Sequence, residues 1–200
     1  MTAAIRATGL AAALATLVAG GATAQVASES TAAGQLFAAD RTGLQISNAL
    51  SAEDQGTVQR LIPLFEEQQG GPIGYYTTIA YSPADGLVSE GLQSAVGYHS
   101  VAAADRAAIA ACNSASASGG CQVAARIVPR GYSDRSLTLS SEATAAFESD
   151  YRGSQGPKAM AVSQSTGAWS IARGADAAGL ARVDCNNETG AQDCRTVIAD

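Results

Sequence analysis

The chain has 200 residues and a formal net charge of −6, with 12 basic side chains, 18 acidic ones and a single histidine. The arginines are scattered, so no clustered positive field exists to hold phosphates; this argues against nucleic acid and anionic lipid as partners. The length is that of one ordinary domain.

Arg6, the apolar stretch from Ala7 to Ala19 and the small-x-small site Ala22-Thr23-Ala24 predict a signal peptide over residues 1–24. The mature chain then starts at Gln25 and is periplasmic or secreted. No later stretch is apolar enough to span a bilayer, so no membrane insertion is expected after cleavage. Residues 25–50 are read as a leader with one short strand. Gln25–Ala33 is small, polar and aperiodic, hence mobile, and the strand lies around Leu44-Gln45-Ile46. Ser51 stands three residues before Asp54, like the start of a capping box. Val58, Leu61, Ile62 and Phe65 follow at helical spacing, which predicts an amphipathic helix over Ala52–Gln68. Pro63 falls inside it, so a kink or a split is expected there.

From Ile73 to Ser82 the chain alternates. Ile73, Tyr75, Thr77, Ile79 and Tyr81 share one face; Gly74, Tyr76, Thr78, Ala80 and Ser82 share the other, mostly small, face. Ile79 to Gly86 is echoed 81 residues later by Met160 to Gly167. Each copy ends in a turn with glycine available for a positive φ. Each leads through an alanine-rich stretch to a cysteine, then eight residues, a second cysteine and a short apolar run. This is the pattern of an internal duplication. Each copy reads β-β-α-β, at about 73–128 and about 157–200. Leu87-Val88 and Trp169-Ser170-Ile171 begin the return strands. The helices are Ser100–Cys112 and Asp176–Cys185, and the closing strands are Gln122–Val128 and Arg195–Ala199. A helix from Glu142 to Arg152, capped by Ser140 or Ser141 and stopped by Gly153, links the copies. The predicted fold class is α+β over residues 51–200: two tandem β-β-α-β repeats sharing one sheet, with helices mainly on the small-residue face.

Four cysteines in an exported chain imply two disulfides. The repeat selects Cys112–Cys121 and Cys185–Cys194 among the three connectivities. The C-x8-C spacing is not that of zinc or redox pairs, so no metal is expected.

Candidates for chemistry are few. The first copy carries about eight more residues than the second between its turn glycine and first cysteine, within Ser89–His99. Glu90, Tyr98 and His99 lie there and make it the candidate functional loop. Ser82, Ser100 and Asp105 are close in sequence to His99, but no G-x-S-x-G elbow exposes a nucleophile. His99 is therefore expected as a partly exposed structural histidine. Lys158, the one lysine, is expected as a strand-edge residue that discourages aggregation; a Schiff-base role is the alternative. Asp85, Glu90, Glu142 and Asp150 form no motif. Asn187-Glu188-Thr189 matches a glycosylation sequon.

The doubled frame of Ala-x-Ser, turn glycine, helix and C-x8-C resembles a family of small exported bacterial domains of unknown function, over Ile79–Val123 and Ala159–Val197. Gly74-Tyr75-Tyr76, Tyr98-His99-Ser100, Gly156-Pro157-Lys158-Ala159 and Ser165-Thr166-Gly167-Ala168-Trp169 are similar to segments of short exported bacterial proteins that carry the name aminolevulinate synthase. The first resemblance implies a stapled exported module and no catalytic residues. The second implies pyridoxal-phosphate chemistry, for which the chain offers no phosphate-cradling glycine loop; no cofactor is expected. The sequence thus reads as a non-catalytic binding or interaction module for an unknown protein or small ligand. The alternatives are a hydrolase or transferase using His99 and the loop 89–99, and the synthase.

Overall fold

The computed structural model describes residues 25–200. The expected signal peptide, residues 1–24, lies outside the described residues. Strands β1 (Thr42–Ile46), β2 (Thr77–Tyr81), β3 (Gln93–Ala95) and β4 (Gln122–Pro129) form one antiparallel sheet in the order β1-β4-β2-β3. Strands β5 (Lys158–Val162), β6 (Trp169–Arg173) and β7 (Arg195–Ala199) form a second, in the order β6-β5-β7. The helices are α1 (Glu29–Gln35), α2 (Ala52–Gln69), α3 (Val101–Ala115), α4 (Ser141–Ala146) and α5 (Ala177–Thr189).

The class is α+β, as the alternating and helical patterns predict, but one shared sheet is replaced by two. Gly97, at φ 77°, turns the chain away just after β3. It packs so tightly on Gly167 that a Cβ there would lie 2.6 Å from the Gly97 carbonyl oxygen. At this contact glycine backbone meets glycine backbone, and no ladder joins the two sheets.

Each half runs strand, strand, helix, strand, and in each the first strand is central. Both central strands shift register at echoed positions, Ile79/Ala80 against β4 and Met160/Ala161 against β7. Ala80 packs with Ala108 and Cys112 of α3; Ala159 and Ala161 pack with Ala177, Ala181 and Cys185 of α5. Small side chains on both partners let the helix backbone come close to the sheet. The opposite faces are covered too, which corrects the expectation of helices on one face. Ile79 and Tyr81 meet Val58, Ile62 and Phe65 of α2; Met160 and Val162 meet Phe147 and Tyr151 beyond α4. Burying each such bulky side chain is worth about 1.5–3 kcal/mol, enough to recruit a second helical layer.

Several local expectations change. α2 is continuous through Pro63. Pro63 and Gln59 are both exposed, so water can satisfy the carbonyl that proline leaves without a donor. The leader is not mobile: Ser28 caps α1, Ala32 is buried, and Ala27 exchanges bonds of 2.8 and 3.0 Å with Val197 and Ala199 of β7. β2 starts at Thr77 because Tyr76, at φ 57°, breaks the alternation. The return strand of the first half is β3, not Leu87-Val88. Leu87 is instead buried against the α2 side, in the turn before the strand. α4 passes into a π-helical turn over Phe147–Tyr151 before Gly153, at φ 73°. Both alanine-rich helices run on past their first cysteine.

Both disulfides form as paired by the repeat, Cys112–Cys121 and Cys185–Cys194, each with a Cα–Cα distance of 6.0 Å. The residue after each first cysteine braces the loop: Asn113 and Asn186 each accept, at 3.1 Å, the backbone N–H of the second cysteine.

Candidate functional site

The candidate loop does not gather its residues into one site. Glu90 is exposed in the turn before β3, where its carbonyl accepts from Gln93 Nε2 at 2.9 Å. Tyr98 packs beside Ala80 and Ala108, under α3. His99 is fully buried rather than partly exposed. Its Nδ1 accepts the Ser140 backbone N–H at 3.0 Å, so its Nε2 carries the proton and donates to the Ala168 carbonyl at 3.1 Å. Burial lowers its pKa to about 4 against weaker opposing pulls, chiefly the bond to Ala168. His99 thus pins the start of α4 to the β5–β6 hairpin. Ser100 caps α3 by accepting from Ala103 N–H at 3.2 Å. Asp105 pairs with Arg126 at 2.7 Å.

The serines of the echoed turns are also spent on structure. Ser82 donates to the Gly119 carbonyl at 2.8 Å. Ser163 is buried and donates to Asp193 at 2.5 Å, with Ser165 donating to the same carboxylate at 2.9 Å. The first half makes the equivalent tie in reverse. Asp85 sits in the hairpin turn, and Ser118 of the cysteine loop donates to it at 2.5 Å, beside a bond from Ser116. The bond from Ser116 is the main cause of Asp85 lying below the ordinary carboxylate range. Burial pushes Asp193 up, but the serine bonds outweigh it and leave that carboxyl lowered as well.

Lys158 is buried at the start of a central strand, not at a sheet edge. Its ammonium meets the Glu29 carboxylate, donates to the carbonyls of Tyr151 at 3.1 Å and Ser154 at 2.9 Å, and lies 4.7 Å from the Tyr151 ring centre. It fastens α1 to the second half.

One of several solvent-open depressions is a groove of about 610 Å³ lined by residues of both halves. Trp169, Ser170, Ile171 and Arg173 of β6 line it, together with Val96 and Gly97. Glu142 and Asp150 contribute from α4 and the π turn, Glu188 and Thr189 from the end of α5. The sequon Asn187–Thr189 therefore lies in a helix, and the Thr189 hydroxyl donates to Thr166 Oγ1 at 2.9 Å. Arg173 donates to the Asp150 carbonyl, tying β6 to the π turn. Among the described residues Glu142, Asp150 and Glu188 enter no ion pair, and no group of acids, cysteines and histidine could hold a metal. The sequence contains each acid of this groove but no motif for it, because they come from three separate elements; the only signal is the protein's lone tryptophan beside a turn glycine.

Comparison with protein-family models, curated proteins and solved structures finds no match.

Proposed function

We propose that the protein is an exported, non-catalytic binding module, built from two copies of one β-β-α-β unit, whose ligand sits in the groove along β6. The observation that carries this reading is the groove itself. It is large enough for a small ligand or a short segment of a partner, and it sets Trp169 among the carboxylates of Glu142, Asp150 and Glu188, none of them in an ion pair among the described residues, with Arg173 the one cation of the lining. The two disulfides support an oxidising compartment outside the cytosol. The shared strand order, register shift and asparagine brace support the duplication. A hydrolytic reading through His99 gains no support: both ring nitrogens are bonded to backbone, and no carboxylate or serine hydroxyl bonds to them.

The test is a titration of the isotope-labelled mature chain with amines, sugars, amino acids and short peptides, read by amide chemical shifts. Shifts concentrated on Gly97 and Trp169–Arg173 are expected for at least one ligand class. Shifts that consistently fall elsewhere, or none at millimolar ligand, would remove the groove as the site.

A further inference from the structure

β6 is an edge strand, and the side of it that faces away from β5 is unpaired. The ladder to β5 uses alternate residues. Ser163 N–H donates to the Ala168 carbonyl at 2.8 Å and Gly174 N–H to the Pro157 carbonyl at 2.8 Å, at the two ends of the pairing. Antiparallel geometry then turns Ala168, Ser170, Ala172 and Gly174 towards β5. It turns the N–H and C=O groups of Trp169, Ile171 and Arg173 outwards. Among the described residues no strand, turn or side chain bonds to those six groups. The same three residues are among those that line the groove.

The groove is lined by three carboxylates and one cation, Arg173, whose guanidinium is held by the Asp150 carbonyl; the carboxylates lie on both sides of this edge. Trp169 and Ile171 pack on the sheet face that carries Phe147 and Tyr151, the side from which Glu142 and Asp150 come. The other face carries α5, from which Glu188 comes. Successive side chains of an added strand point to opposite faces, so each would meet carboxylate on its own side.

Resting on the reading of the groove as a ligand site, we propose that its ligand is an extended, basic peptide segment of a partner protein. The segment adds to the second sheet as a strand beside β6. Backbone bonds to Trp169, Ile171 and Arg173 supply the register, and lysine or arginine side chains meet Glu142, Asp150 and Glu188. A second copy of this chain is a poorer occupant. Pairing β6 with β6 would set like carboxylates against each other in a chain of net charge −6.

The lone tryptophan makes the experiment direct. The mature chain is titrated with three synthetic octapeptides, followed by Trp169 fluorescence: alternating Thr-Lys, the same peptide N-methylated at every second residue, and alternating Thr-Glu. The Thr-Lys peptide is expected to change the signal saturably. The N-methylated peptide, unable to donate along one edge, should bind at least about tenfold more weakly, and the Thr-Glu peptide should not bind. Combining Glu142→Gln, Asp150→Asn and Glu188→Gln should weaken the Thr-Lys peptide by about tenfold while leaving the fold intact by circular dichroism. Equal binding of the Thr-Lys and Thr-Glu peptides, or indifference to N-methylation, would overturn strand addition by a basic segment while leaving the groove a ligand site. So would a groove that responds to small ligands and to no peptide. A dimer closed through β6 in sedimentation of the mature chain alone would overturn the choice of partner. Silence of the groove towards every ligand would remove both readings together.

Discussion

His99 should make the protein acid-sensitive through one identifiable proton. In the fold the imidazole is buried and neutral, accepting from Ser140 and donating to Ala168. Protonation would turn Nδ1 from acceptor to donor and set it against the Ser140 N–H. The unfolded chain takes up that proton near the ordinary value of 6.5, the folded chain only at about 4. Between those values the unfolded state binds more protons, so stability is fully present above about pH 6.5 and falls as the pH drops towards about 4. The loss is about 3 kcal/mol over that window. Urea unfolding of the mature chain and of His99→Gln, from pH 7.5 to pH 4, measures it. The carboxylates titrate in both proteins, so the difference between the two isolates the histidine. The wild type should lose about 3 kcal/mol more than the variant. Proton NMR of the single imidazole provides the direct check. A midpoint at pH 6 or above in folded protein, or an unchanged acid slope in His99→Gln, would refute the reasoning. Ser140 caps α4, which carries Glu142, so the same acidification should loosen one wall of the groove.

Two adjacent tyrosines should respond oppositely to loss of a hydroxyl. The Tyr75 hydroxyl donates to Thr144 Oγ1 at 2.9 Å, so Tyr75→Phe should cost about 1 kcal/mol; the Tyr76 hydroxyl is buried with no partner among the described residues, so Tyr76→Phe should gain about 1 kcal/mol, both by urea unfolding. Gly167→Ala meets the Gly97 carbonyl oxygen and a φ of 78°, and should cost about 2 kcal/mol or more and shift the amide signals of Gly97 and Trp169. Replacing Cys112 and Cys121 together by serine opens a loop with a sequence separation of 9 and should cost about 2–3 kcal/mol, read as a lower melting temperature. A variant as stable as the wild type would show that Asn113 and the Asp85–Ser118 tie hold the loop unaided.

Much of this fold is legible in the chain, and the reasons are local. The period of two around Ile79 and Met160, the cap at Ser51 and the equal cysteine spacings each state a rule about neighbours in sequence. Ala80 and Ala161 do lie beneath the alanine-rich helices. What the chain does not disclose depends on contacts across long separations. α1 is a single short piece of small and polar residues, of which only Ala32 is buried, with no periodicity to detect. It is held by Lys158, 129 residues away. Lys158 reads as an edge residue because nothing in a strand's own sequence says whether two other strands will flank it. His99 reads as partly exposed because its partners are backbone groups of Ser140 and Ala168, which any sequence could supply. The groove combines both difficulties. Its acids come from α4, the π turn and α5, and its open edge is a property of sheet order.

The differences between the two halves, more than their likeness, create the candidate site. In each half the central strand has one neighbour from the hairpin and one from the closing strand. The closing strands are protected on part of their far side, β4 by β1 over Ala125–Pro129 and β7 by a single bridge from Ala27 to Ile198. The hairpin strands are not equivalent. The extra residues of the first half leave β3 only three residues long, and Gly97 then turns the chain aside; β6 keeps five residues and an unpaired edge. Among the described residues β6 has no partner strand beyond β5. The price of an exposed edge is a tendency to pair with other chains, and short, charged surroundings are how sheet proteins restrain that tendency. Here the surroundings are Glu142, Asp150 and Glu188 against the single cation Arg173, a net negative lining. They repel an acidic copy of the same protein and leave the edge open to a segment of opposite charge.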